Sequence, residues 1–133
     1  MTQEYYGTKK ITAWPQEKDG QSGYNVKYAD GYVSWSPKAV FEEAYQPLDA
    51  LSFGHALVAL KTGARVARAG WNGKGMWLRL VGASNYEVDA VRSGSHSVLP
   101  FIGMKTADHY FVPWLASQTD VIADDWQILE DSQ

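Results

Sequence analysis

An α+β fold, with a small, mostly antiparallel sheet and two or three short helices, is what this 133-residue sequence predicts. Two observations lead there. Short runs rich in aromatic and β-branched residues are separated by polar, Gly-containing turns suited to antiparallel hairpins. Stretches with apolar residues at helical spacing are few and short.

The N-terminal third reads as strands at Lys9–Trp14, Tyr24–Tyr28 and Tyr32–Trp35, joined by Glu17–Gly23 and Asp30–Gly31. Asp30-Gly31 between two aromatic-rich runs is a strong hairpin signal. Ser36-Pro37 reads as an N-cap followed by a proline at the first helical position, opening a short helix through about Tyr45 that Pro47 closes. A boundary at Leu48–Leu51 divides an N-terminal extension, residues 1–50, from a second domain, residues 51–133. Ser52 caps the next helix, in which Phe53, Ala56, Leu57 and Leu60 share one face and Gly63 supplies the stop. Strands at Arg65–Ala69 and Met76–Val81 flank a turn, Gly70–Gly75, that is too long for the tightest hairpin and so presents something. Ser84–Ser97 is a polar excursion holding a strand at Tyr86–Val91. Leu99–Thr106 and Tyr110–Pro113 make a hairpin turned at Ala107–His109, and Ser117 caps a helix at Gln118–Ala123 before a last strand, Trp126–Leu129.

Composition narrows the function classes. With no cysteine, disulfides, thiol nucleophiles and thiolate metal sites are excluded together, so stability rests on the apolar core or on oligomerisation. No run approaches the roughly 18 apolar residues of a membrane span, and Met1–Lys10 lacks a signal-peptide core. The expected setting is therefore cytoplasmic. The net charge of −3 divides as −2 over residues 1–50 and −1 over 51–133, which gives no basic field for bulk DNA or RNA binding. Aromatics are the outlier: six Trp, eight Tyr and four Phe put some rings at a surface, where flat ligands and subunit contacts use them.

Three segments are candidates for a ligand site. In Arg68-Ala69-Gly70-Trp71-Asn72-Gly73-Lys74-Gly75-Met76, three glycines free the backbone to turn and expose N–H groups, which together with Lys74 suit phosphate oxygens. Trp71 has few local packing partners and is placed to stack on a base; the alternative is a hairpin loop whose Trp folds into the core. The glycine spacing is not that of a Walker loop, and no Ser or Thr follows Lys74. Val112-Pro113-Trp114-Leu115-Ala116-Ser117-Gln118-Thr119-Asp120, continuing to Asp124-Asp125-Trp126, gathers hydroxyl, amide and carboxylate groups of the kind that read ribose hydroxyls and base edges; the alternative is ordinary capping by Ser117 and a core role for both Trp residues. Leu99–Thr106 is a strand with a Gly in it, and Lys105 and Thr106 at its end either face a phosphate or are simply solvated.

Catalytic readings find little support. His55, His96 and His109 lack the short paired spacing of local metal motifs. Asp124 and Asp125 are adjacent, which sends their side chains in different directions on a helix or strand and disfavours a shared acid/base dyad. The residues call for no metal or cofactor.

Taken together, Ser52-Phe53-Gly54, the run Ala67 to Trp77, the run Leu99 to Asp108, and Val112 to Asp120 with Asp125-Trp126 resemble one phage and prophage family, the second type of Thoeris anti-defence protein. The resemblance covers about residues 51–130 in four ordered blocks. Residues 1–50, with Gly31-Tyr32-Val33-Ser34-Trp35-Ser36-Pro37, Phe41 and Tyr45, resemble an extension carried by many phage-encoded relatives.

The resemblance implies a non-enzymatic sponge that sequesters glycocyclic ADP-ribose, the signal made by TIR-domain proteins of Thoeris defence, in the infected or lysogenic bacterial host. It also implies homotetramers with pockets between subunits and, for some relatives, cyclic dinucleotides of the CBASS type bound at a separate place. Carried onto this sequence, Trp71 stacks on the base, Asn72, Gly73 and Lys74 lie near the pyrophosphate, and Ser117, Gln118, Thr119 and Asp120 lie near ribose or base edges. Phe101 and Lys105 are second-tier candidates reaching across an interface, and Gly103 stands where relatives are expected to carry Ala. To compete with an effector such a sponge needs a nanomolar Kd, about −12 kcal/mol. The rivals are a cyclic-nucleotide hydrolase and a structural or host-protein interaction protein.

Overall fold

Hairpin chemistry organises the first 46 residues, which form one of two compact units, Met1–Gln46 and Pro47–Gln133. The computed structural model describes residues 1–71, 74–82 and 99–129. In the first unit, strands β1 (Thr12–Pro15), β2 (Gly23–Lys27) and β3 (Val33–Pro37) form an antiparallel sheet in the order β1-β2-β3, followed by helix α1 (Lys38–Ala44). The β1–β2 connection is closed by reciprocal backbone hydrogen bonds between Lys18 and Gln21, with φ of 52° at Asp19 and 77° at Gly20. Two successive positive φ angles are the type I′ geometry that the strand twist favours. Asp30-Gly31 does turn the β2–β3 hairpin, but in a three-residue loop with Ala29: Asp30 Oδ1 accepts from Tyr32 N at 3.0 Å, and Gly31 takes φ 90°.

Trp35 locks this small sheet. Its Nε1 donates to the Gln16 carbonyl at 2.7 Å, and its ring lies so close over Gly23 that a Cβ there would collide with it. Tyr24, Phe41 and Tyr45 stack in series, with centroids 4.1 and 5.0 Å apart, and join α1 to β2. Helix α1 starts one residue later than Ser36-Pro37 suggests. Ser36 remains paired with Tyr24 in the ladder, as a residue before proline prefers extended backbone, and Pro37 occupies the N-cap with no side-chain cap.

The second unit carries the larger sheet, order β7-β6-β5-β4-β8, built from β4 (Arg65–Arg68), β5 (Trp77–Val81), β6 (Phe101–Lys105), β7 (Phe111–Pro113) and β8 (Trp126–Leu129). Every described pairing in it is antiparallel. Helices α2 (Phe53–Lys61) and α3 (Gln118–Ile122) complete the α+β architecture. Helix α2 is fixed at both ends by local chemistry. Ser52 accepts from His55 N at the start, while Gly63 N to Leu60 O and Ala64 N to Ala59 O close a Schellman motif at the end, with Gly63 at φ 95°.

Residues Leu48–Leu51 join this unit through hydrogen bonds of Leu48 with Ile128 and of Leu51 with Trp126. The core lies between α2 and one face of the sheet, where Leu51, Ala56, Ala59, Leu60, Val66, Leu78 and Trp126 are buried. Leu60, Val66, Leu78 and Trp126 are fully excluded from solvent, and such burial stabilises by about 1.5–3 kcal/mol for an aliphatic side chain. The strand expected at Tyr86–Val91 and the excursion around it lie outside the described residues. Among the described residues no helix is long and apolar enough to cross a membrane.

Candidate functional site

Strand β4 ends at Arg68, and the chain then turns through a short 3₁₀ segment, Ala69–Trp71, that carries the Trp71 indole. Trp71 is half-buried and meets the fully buried Trp126 edge-on, with centroids 5.5 Å apart and planes at 78°. Phe53 and Trp114 crowd the same Trp126 ring at 5.2 and 6.1 Å. Trp71 therefore packs against the aromatic core while the residue keeps solvent access. Sequence separation hid this partner, 55 residues further along the chain.

Charge fixes the turn from the other side. The Arg68 guanidinium donates through Nε to Asp125 Oδ1 at 2.8 Å and through Nη1 to Asp120 Oδ1 at 2.7 Å. Asp125 in turn accepts the Gly70 N–H at 3.1 Å through Oδ2, and its carbonyl accepts Ala69 N at 3.0 Å. The Arg68 hydrogen bond, helped by the Gly70 N–H and the guanidinium charge, holds the Asp125 carboxyl below its ordinary value despite opposing desolvation. Asp120 lies in the first turn of α3 and is tied again there, its N–H donating to the Ser117 hydroxyl at 3.1 Å and its carbonyl accepting Trp126 Nε1 at 2.9 Å.

A carboxyl held below its unfolded value, about 3.9 for Asp, contributes stability that is complete above that value and is lost as pH falls through the lowered one. Thermal melts of the protein are accordingly expected to lose Tm below about pH 4, and Asp125→Asn is expected to flatten that acid limb. An unchanged acid limb in the variant would remove Asp125 from the account.

The candidates separate as follows. Trp71, Ser117 and Asp120 converge around the Arg68 cluster, and Asp120 presents one carboxylate oxygen to Arg68 rather than to solvent. Ser117 serves as the α3 cap; Gln118 and Thr119 are exposed on the first turn. Lys74 is exposed, and Asn72 and Gly73 lie outside the described residues. Lys105 reaches the turn from β6, its Nζ donating to the Gly75 carbonyl at 2.9 Å. Phe101 lies on β6 opposite Val81. Sequence reasoning did not pair Arg68 with Asp125 or Asp120, because the hydrogen bonds that join them span 57 and 52 residues.

Gly103 is buried beneath the Phe111 ring, and a Cβ there would run into it. Because side chains alternate along a strand, Phe101, Gly103 and Lys105 share a face, and the Phe111 ring occupies the space over Gly103 between the other two. Gly103→Ala is expected to push this edge-strand ring aside at a cost of about 1 kcal/mol, the low end for overpacking, measurable by urea unfolding. Wild-type stability in the variant would show that Phe111 moves freely.

Comparison with known proteins decides the family. Residues 51–129 match the family described as Tad2-like, the Thoeris anti-defense 2-like domain. The chain belongs to this Thoeris anti-defense 2-like family. Thoeris anti-defense 2 of Bacillus phage SP01 is 43% identical over 84 residues, which is 59% of this chain and 94% of that protein. The family match takes in every described candidate from Trp71 to Asp120 and also the Arg68 and Asp125 that brace them. Among the described residues no group of three or more His, Cys, Asp or Glu side chains could hold a metal ion.

Proposed function

We propose that this chain is a phage anti-defence protein that captures glycocyclic ADP-ribose intact and so withholds it from a Thoeris effector in the cytoplasm of the infected or lysogenic host. The observation that carries this reading is the match of residues 51–129 to the Thoeris anti-defense 2-like domain, joined by a relative of that name from a phage. The chemistry of the site agrees with it. A half-buried indole can stack on adenine, Lys74 and Lys105 lie on or against the same turn and suit a pyrophosphate, and Gln118 and Thr119 offer exposed hydrogen-bonding groups to ribose. Capture needs only these contacts in a preorganised pocket, and no bond has to break.

In this reading residues 51–133 form the signal-binding domain, and residues 1–50 are an N-terminal extension to it. The binding form is a homotetramer with its pockets between subunits; the exposed apolar side chains of Tyr110, Leu115 and Ile122 provide surface for such contacts. Light scattering on the purified protein gives the oligomeric state directly.

The deciding experiment mixes purified protein with glycocyclic ADP-ribose and a panel of cyclic dinucleotides, removes free ligand, heats the protein and identifies by mass spectrometry what is released. Intact glycocyclic ADP-ribose in stoichiometric amount supports the sponge. Release of cyclic dinucleotides alone reassigns its signal, an altered product makes it a hydrolase, and release of nothing leaves a structural or host-protein interaction role.

A further inference from the structure

We propose that Arg68 is the positioning residue of this site: its guanidinium joins the turn that carries Trp71 to the segment that begins at Ser117, and it neutralises two carboxylates that would otherwise confront an anionic ligand. The proposal rests on the signal-capture reading above and assigns Arg68 no contact with the ligand.

The geometry supports both parts. Asp125 lies before β8 and Asp120 on α3, so the two short Arg68 hydrogen bonds, 2.8 and 2.7 Å, connect three separate stretches of chain. Asp125 passes the constraint on to the backbone beside Trp71 by accepting the Gly70 N–H, and Asp120 passes it to α3 through the Ser117 cap. A planar fork with several donors can hold two carboxylates at once in fixed directions, which a lysine ammonium on a flexible stem does less well. The arrangement also has an electrostatic consequence. Without Arg68, the Asp120 and Asp125 carboxylates would lose their shared counter-charge, and Asp125, which accepts the Gly70 N–H, would stand uncompensated beside the turn that leads to Lys74, where the proposed ligand brings its pyrophosphate.

The test measures the dissociation constant for glycocyclic ADP-ribose by calorimetry at low and high salt, in the wild type, Arg68→Ala, Arg68→Lys and an Arg68→Ala/Asp120→Asn/Asp125→Asn variant. Circular dichroism and Tm establish that each is folded at the assay temperature. Arg68→Ala is expected to bind at least tenfold more weakly at low salt, and the deficit is expected to narrow at high salt as repulsion is screened. The triple variant, with no uncompensated charge, should recover part of the affinity and lose the anomalous salt dependence, while Arg68→Lys should fall between wild type and Arg68→Ala. If Arg68→Ala is too unstable to measure, Arg68→Lys and the triple variant carry the same comparison.

A folded Arg68→Ala protein within twofold of wild type overturns the proposal and leaves the sponge reading intact. An affinity deficit of equal size at every salt concentration, unrelieved in the triple variant, overturns the electrostatic part and reduces Arg68 to a structural brace. Failure of the wild type to bind the ligand at all is the separate result that removes the functional reading, and the proposal with it.

Discussion

Trp71→Ala is expected to weaken capture of glycocyclic ADP-ribose by on the order of 10- to 100-fold while the protein stays folded. The magnitude follows from base–aromatic stacking, worth about 1–3 kcal/mol per base, with each 1.4 kcal/mol a factor of ten. The indole is half-buried, so the substitution also removes its edge contact with Trp126, itself worth about 0.5–1.5 kcal/mol for such a pair. Capture and stability must therefore be read separately, the first by equilibrium dialysis and the second by thermal melting. Trp71→Phe separates them further: a smaller ring retains a stacking face and part of the packing, and it should recover capture more than halfway on a logarithmic scale. Wild-type capture in Trp71→Ala combined with a lowered Tm would assign the residue to the core alone, which is the bland reading its glycine-rich surroundings also permit.

What could be read from the sequence was what local chemistry determines. Helix α2 is specified within its own residues, from the Ser52 cap through the apolar face to Gly63, and the structure places it at Phe53–Lys61. Strand β8, Trp126–Leu129, and the Ser117 cap of α3 follow from equally short signals. Local reading took Glu17–Gly23 whole as a polar, Gly-containing connection and did not single out the tight Asp19-Gly20 turn within it, although positive φ at successive Asp and Gly residues is what a two-residue hairpin asks for. It also put the α1 cap at Ser36, where strand pairing with Tyr24 prevails over a capping preference.

The candidate site was legible in composition but not in arrangement. Gly70, Trp71 and Lys74 announce a turn able to meet a flat anion, yet nothing near them in sequence signals that Asp125 accepts the Gly70 N–H or that Trp126 packs against the Trp71 indole. Asp120 shows the same limit. Its place in a polar run suggests a group offered to a ligand, whereas Arg68 engages one of its oxygens from 52 residues away. Long-range pairs of charges leave no periodic trace, and only the fold brings them together.

The second large effect concerns stability. Trp126→Ala is expected to cost the second unit about 3–5 kcal/mol, the usual penalty for truncating a buried Trp or Phe, against the roughly 5–15 kcal/mol that holds a domain folded. Several features put the residue at the top of that range. Trp126 is 0% exposed, and its ring touches Phe53, Trp71 and Trp114, so truncation opens a cavity lined by three other aromatic side chains. Its Nε1 also donates to the Asp120 carbonyl at the end of α3's first turn. Trp126→Phe isolates that last contribution, because it keeps a ring in the core and removes the indole donor; it should cost less, with about 1 kcal/mol of its cost due to the lost hydrogen bond. Urea unfolding followed by far-ultraviolet circular dichroism measures both variants. The alanine variant should show a collapsed midpoint and the phenylalanine variant a modest shift, and capture should fall in both to the extent that Trp71 loses the ring it rests against. Equal midpoints for Trp126→Ala and wild type would mean that the aromatic cluster around Trp126 does not hold the second unit together.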